Sequence, residues 1–172
     1  MDTLTANKFP SYPLTSKIWI YQASTELSPE QQSRLKANAA EFVAHWTSHN
    51  QKVEAKMELF YNRFLILAVN EQVEAPGGCA IDKAFQFIQA TERELNIRLL
   101  DRTLVAYIDP NAENDQETIK VCTMQEFEQL AKSGVITENT LVFNNMANNL
   151  ADLGAKWKVP AKNSWHSRYF SN

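Results

Sequence analysis

Cysteine is scarce in this chain: two thiols, Cys79 and Cys122, stand in 172 residues. They are too few and too central for a disulfide-stapled scaffold, so free thiols in a reducing cytoplasm are expected. No apolar run approaches the ~20 residues that cross a bilayer. The N-terminal stretch has no positive start followed by an apolar segment, so neither a signal peptide nor a membrane partner is expected. Basic charge is thin as well. Seventeen Lys and Arg are scattered singly against twenty Asp and Glu, a formal charge of −3. Nothing resembles the basic stripe that phosphate-backbone binding needs, so nucleic acid is not an expected partner. Glycine is rare too: four in all, two of them adjacent at Gly77-Gly78. There is no internal repeat, low-complexity tract or linker.

What is present suits a globule with a core. Apolar residues make up 44% and charged residues 22%, and the length fits one domain, with or without a small appendage. Residues 1–16 are polar, carry Pro10 and Pro13, and read as a loosely attached lead-in. The β-branched and aromatic run at 17–22 predicts a strand. Ser28-Pro29-Glu30-Gln31 predicts a helix start: serine caps, proline fits the first helical position, and Gln31 returns the capping bond. That helix is expected to reach about His49, with Leu35, Ala39, Phe42, Val43 and Trp46 along one apolar face.

Residues 53–61 alternate as a half-buried strand, and residues 63–70 are apolar on both faces, the pattern of a central strand. After Gly77-Gly78, the residues Ile81, Ala84, Phe85, Ile88 and Leu95 set out the buried face of a second helix, with Phe87 pointing away from it. Residues 104–109 make another two-sided strand. The order strand, helix, strand, strand, helix, strand predicts an α+β fold with a ferredoxin-like βαββαβ core over 17–110. Residues 111–172 are expected to form a C-terminal strand-helix extension over the open sheet face, after a polar turn at 111–116. It holds a strand at 118–122 paired with the one before it, and a helix capped at Thr123 and ended by Gly134. A short strand at 140–143, a short helix at 149–156 and an aromatic-rich tail complete it.

Several blocks carry a resemblance: YNRFLILAVNE, GGCAIDKAFQFI, LLDRTLVAY, TLVFNN and SWHSRYF. In that order they resemble a family of small uncharacterised bacterial proteins commonly labelled "ABC transporter ATPase", over nearly the whole chain. The resemblance implies no activity for any residue. The label conflicts with the residues, because a phosphate loop needs a second glycine and a Ser or Thr after its lysine. Gly77 and Lys83 stand at the right separation, but Asp82 and Ala84 occupy those two positions. A carboxylate there repels the phosphates, so no nucleotide is expected and no cofactor is assigned. Residues 124–160 are similar to GYF-like peptide-binding modules in their helix, SGVIT, TLVF and following tryptophan, although the Gly-Tyr-Phe signature is absent.

Three constellations could carry chemistry. Cys79 lies where the second helix begins, and the positive end of a helix dipole favours a thiolate. A thiol hydrolase or transferase would pair it with a base, His49 or His166, and an orienting carboxylate, Asp82. The structural alternative makes Cys79 a small apolar filler and Asp82 a first-turn helix cap. His45 and His49 are four apart, a spacing that lets two imidazoles share a metal, but the glutamate of the metalloprotease pattern is missing. Their structural role is polar cover near a helix C-terminus. Trp165, Arg168 and Tyr169 could line a ligand site, or belong to a closing strand with His166 and Arg168 on its wet side. Asn144, Asn145, Asn148 and Asn149 read as turn and cap chemistry.

No complete catalytic motif survives. The expectation is a non-catalytic cytoplasmic protein that binds a protein or small-molecule partner, or a second copy of itself in a homo-oligomer. The Cys79 enzyme is the alternative and the His45/His49 metal site the third reading.

Overall fold

The structure, a computed structural model, describes residues 7–112 and 117–171. They fall into two compact units. One holds the chain up to Asp101 with Asn148–Ala151, and the other holds Arg102–Ala147 with the chain from Asp152. Both are α+β, with antiparallel sheets. Residues 1–6 of the expected lead-in and 113–116 of the expected polar turn lie outside the described residues.

The first unit contains β1 (Lys17–Gln22), α1 (Pro29–His45), β2 (Thr47–Ser48), β3 (Gln51–Lys52), β4 (Ala55–Phe60), β5 (Phe64–Val69) and α2 (Gly78–Leu95). Its main sheet has the order β1–β5–β4, with Trp19 and Met57 flanking Leu67 in register. All six residues of β5 are buried, as a strand apolar on both faces should be. Leu65, Leu67 and Val69 pack with Leu35 of α1, with Ala84 and Ile88 of α2, and with Trp46 just past the end of α1. From the lead-in, Phe9 is 2% exposed and stacks on Phe60 at 6.1 Å. A buried aromatic is worth about 3 kcal/mol, so this part of the lead-in is core rather than loose chain.

The capping box of Ser28 and Gln31 opens α1. The helix stops at His45, short of the expected end. Trp46 turns to an extended ψ of 121°, which sends its indole N–H to the Ala80 carbonyl at 2.9 Å. The chain then forms the β2–β3 hairpin, with His49 and Asn50 left-handed at φ 49° and 62°. His49 is therefore in a turn, not on the helix.

The buried side of α2 is Ala80, Ala84, Ile88, Thr91 and Leu95. That is a rotation from the expected face: Ile81 and Phe85 are 38% and 47% exposed. Phe87 finds its second contact by stacking on Phe42, ring centroids 4.6 Å apart. Asn96 ends the helix at φ 51°, and the Glu92 carboxylate accepts hydrogen bonds from the Leu99 and Leu100 amides.

The second unit contains β6 (Leu104–Ile108), β7 (Ile119–Thr123), α3 (Met124–Lys132), β8 (Leu141–Phe143) and β9 (Lys158–Pro160), and α4 (Leu150–Lys156) precedes the last strand. The sheet order is β7–β6–β8–β9. Here the ferredoxin-like expectation needs correcting. β6 is a strand, but it pairs with β7 over five residues and with β8, not with the first sheet. That sheet thus has three of the four expected strands. Apolar faces on both sides report that a strand is central; they do not report in which sheet.

Thr123 and Glu126 form the capping box of α3, and Gly134 at φ +75° ends it by donating to the Ala131 carbonyl. Phe127, Ile136, Val105, Tyr107, Val142 and Ala161 make this unit's core. The tail is two 3-10 turns, Ala161–Asn163 and Trp165–Tyr169, where a closing strand was expected. Among the described residues no helix is long and apolar enough to cross a membrane.

Candidate functional site

The N-terminus of α2 carries Cys79 and, just past the first turn, Asp82. Gly77 is its N-cap, with no side-chain cap, and the first turn holds no acidic residue. Asp82 lies beyond that turn and is exposed, so it neither caps the helix nor orients a base. Cys79 is exposed, which overturns its role as core filler. Among the described residues it has no hydrogen-bond partner. The side chain that does reach this end is His49. A Cβ on Gly77 would lie 3.1 Å from His49 Cε1, so the glycine leaves room for the ring.

His49 Nδ1 stands 3.1 Å from Glu74 Oε1 and 3.3 Å from Ser48 Oγ, while Ser48 Oγ accepts the Gly77 amide at 3.0 Å. A nucleophile–base–acid relay needs the nucleophile on one ring nitrogen and the carboxylate on the other. Both partners here share Nδ1. The group fastens the β2–β3 turn to the start of α2 and does not form a triad. Glu74 and Ser48 were missed in the sequence because nothing marks a turn histidine before its hairpin is known.

His45 Nδ1 lies 3.0 Å from the Glu41 carbonyl, one turn back on α1. That is C-terminal capping, and with His49 off the helix the i, i+4 pair does not exist. Among the described residues no group of three or more His, Cys, Asp or Glu side chains is placed to hold a metal ion.

His166, the other candidate base, belongs to the second unit and is 0% exposed. Its Nδ1 is 2.7 Å from Ser164 Oγ, and its ring stacks on Trp165 at 3.8 Å and tilts against Phe127 at 5.5 Å. The Ser164 hydroxyl donates to the Ala161 carbonyl, so it accepts from His166 Nδ1–H. Nε2 is left without a partner among the described residues. Burial, and secondly the nearby Arg168 charge, push the His166 pKa down to about 4. A neutral, enclosed imidazole is core, not the wet-side residue expected. Cys122 is half-buried, and burial, with Glu126 beside it, pushes its thiol up to about 11.

Trp165, Arg168 and Tyr169 do come together. The Arg168 guanidinium lies 4.9 Å from the Trp165 ring centre and 4.8 Å from that of Tyr169. Its Nη2 donates to Tyr169 Oη at 2.8 Å and touches Met124 Sδ at 3.8 Å. Phe127 anchors the layer beneath, edge-on to Tyr169 at 5.4 Å. Arg168 is exposed, and among the described residues it pairs with no carboxylate. A guanidinium lying on ring faces keeps its outward N–H edge free for a planar anion.

Among the described residues, the first unit carries two open grooves. One of about 300 Å³ runs over Phe42, Phe87 and Ala90 with Asn38, Glu41 and Glu94 at its rim. The other, about 320 Å³, lies between α1 and β4 over Val43, Met57, Leu59 and Leu65 beside Lys36 and Lys56. Neither is lined by a candidate chemical residue. No protein-family model, curated protein or solved structure matches this chain.

Proposed function

We propose that this is a non-catalytic binding protein of the cytoplasm, acting through the Trp165–Arg168–Tyr169 surface on a partner other than nucleic acid. Kinship with the small bacterial family is part of this proposal and supplies no activity. One observation carries the reading: Arg168 is exposed and held on two ring faces, and it lacks a carboxylate partner among the described residues. Such a group is pre-ordered for recognition, since little side-chain freedom remains to be lost on contact.

The thiol-enzyme reading has one observation in its favour, the exposed Cys79 near a His49-bearing turn. Against it, His49 Nδ1 is shared by Glu74 and Ser48, Asp82 is unengaged, and the His166 ring is fully buried against Trp165 and Phe127. The two readings separate in a quantitative affinity-capture comparison of wild type, Cys79→Ala and Trp165→Ala/Arg168→Gln. Binding predicts a captured set unchanged by Cys79→Ala and depleted by the double variant. The reverse pattern supports thiol chemistry and overturns the binding reading.

A further inference from the structure

The platform adjoins a sheet edge that pairs with no further strand among the described residues. β7 is an edge strand of the second unit. The Asp109 amide donates to the Thr118 carbonyl, and the Met124 amide to the Thr103 carbonyl. In an antiparallel ladder such bonded pairs alternate with unbonded ones. Residues 118, 120, 122 and 124 therefore turn their backbone groups towards β6, while Ile119, Val121 and Thr123 turn theirs outward. The Thr123 amide is taken by the Glu126 carboxylate at 2.7 Å. The N–H and C=O groups of Ile119 and Val121 have no partner among the described residues.

β7 runs directly into Met124, which Arg168 touches, and Cys122 packs against the same core as Trp165 and Tyr169. Edge strands are commonly blunted by charge. Here the one lysine of the strand, Lys120, is paired with Asp109 at 2.6 Å. At the Met124 end of the strand stands Arg168, which among the described residues pairs with no carboxylate.

We infer that β7 and the Arg168 platform together dock an extended peptide of a partner protein bearing a carboxylate side chain. The peptide adds as a strand on Ile119 and Val121, so main-chain hydrogen bonds supply affinity. Alternate side chains fall on the face of Trp165 and Tyr169, and a carboxylate at the Met124 end meets the Arg168 fork. This rests on the binding reading above and names its partner class.

The test uses the full chain and a displayed library of random peptides of about seven residues, long enough to cover the strand and reach Arg168. Selected peptides are measured by fluorescence anisotropy against wild type, Val121→Pro and Arg168→Gln. Proline at an outward position removes only an unpaired donor, so the strand itself tolerates it. Expected are peptides with alternating apolar residues and one Asp or Glu, weakened about tenfold or more by each substitution. The Ile119 and Val121 amides should exchange more slowly once peptide is bound.

Peptides that need Arg168 but not the Val121 amide overturn strand addition while leaving the platform reading intact. Peptides indifferent to both variants, no enrichment over a bare support, or protection of Ile119 and Val121 by self-association in the absence of peptide each overturn the inference. Should Val121→Pro unfold, the Arg168→Gln result and the amide exchange of wild type decide it.

Discussion

The Trp46 indole N–H donates a 2.9 Å hydrogen bond to the Ala80 carbonyl, joining the residue that ends α1 to the first turn of α2. Trp46 is also buried against Val53, Leu67 and Val69. Loss of the bond and loss of the volume should separate. Trp46→Phe keeps an aromatic in place and should cost about 1–2 kcal/mol, while Trp46→Ala should cost about 3–5 kcal/mol. Urea unfolding midpoints give both numbers. Equal costs would mean that packing contributes nothing beyond the hydrogen bond.

His166 should make the protein acid-sensitive in a defined window. A free histidine titrates near 6.5 and the folded one at about 4, held down first by burial and then by Arg168. Between those values the unfolded chain binds a proton that the folded chain does not. The stability contributed by neutral His166 is complete above about 6.5 and is lost as the pH falls towards 4, up to about 3 kcal/mol. His166→Phe also removes the unpartnered Nε2. Its stability profile should be flatter than that of wild type across this window, measured as ΔG of unfolding at several pH values. Parallel profiles would refute the buried neutral ring.

Gly77 caps α2 without a side chain, and its backbone, φ −71° and ψ 172°, suits any residue. Gly77→Asp should stabilise by about 0.5–1 kcal/mol, by capping and by placing charge at the positive end of the dipole. The opposing contact is with the His49 ring at 3.1 Å, whose side chain is 74% exposed and can move. Thermal unfolding reads the balance. A lowered midpoint would mean that the ring is held rigidly against the glycine.

Much of the local structure was legible. Ser28-Pro29-Glu30-Gln31 and Thr123 to Glu126 announced their helices because capping is a short-range interaction, complete within four residues. β5 announced its central place because both its faces are apolar. Pairing was not legible: β6 has the same two-sided pattern, and its choice of β7 and β8 depends on contacts far along the chain.

The candidate site was read less well, for related reasons. No glycine or proline marks the end of α1, and what ends it is the tertiary bond from Trp46 to Ala80. The expected His45/His49 pair disappeared with that helical turn. The face of α2 was misread because small Ala80 and Thr91 turn inward while larger Ile81 and Phe85 stay exposed. Of the residues singled out, Trp165, Arg168 and Tyr169 do meet, within one 3-10 turn. Their neighbour Ser164, two residues before His166, could have been noticed as a local hydroxyl partner.

The proposed non-catalytic reading requires that no histidine activate Cys79, and the rate of Cys79 alkylation tests that requirement most directly. A faster reaction than Cys122 is not diagnostic. Cys122 is half-buried with its pKa pushed up to about 11, which lowers its thiolate fraction near neutral pH by on the order of a hundredfold. The informative comparison is Cys79 in wild type and in His49→Ala, labelled with iodoacetamide between pH 6 and pH 9 (roughly the range over which thiols ionise) and read by mass spectrometry. The two rate profiles should superimpose. A Cys79 rate near pH 7 that falls about fivefold or more on removing His49 would contradict the claim and restore a thiol–imidazole pair.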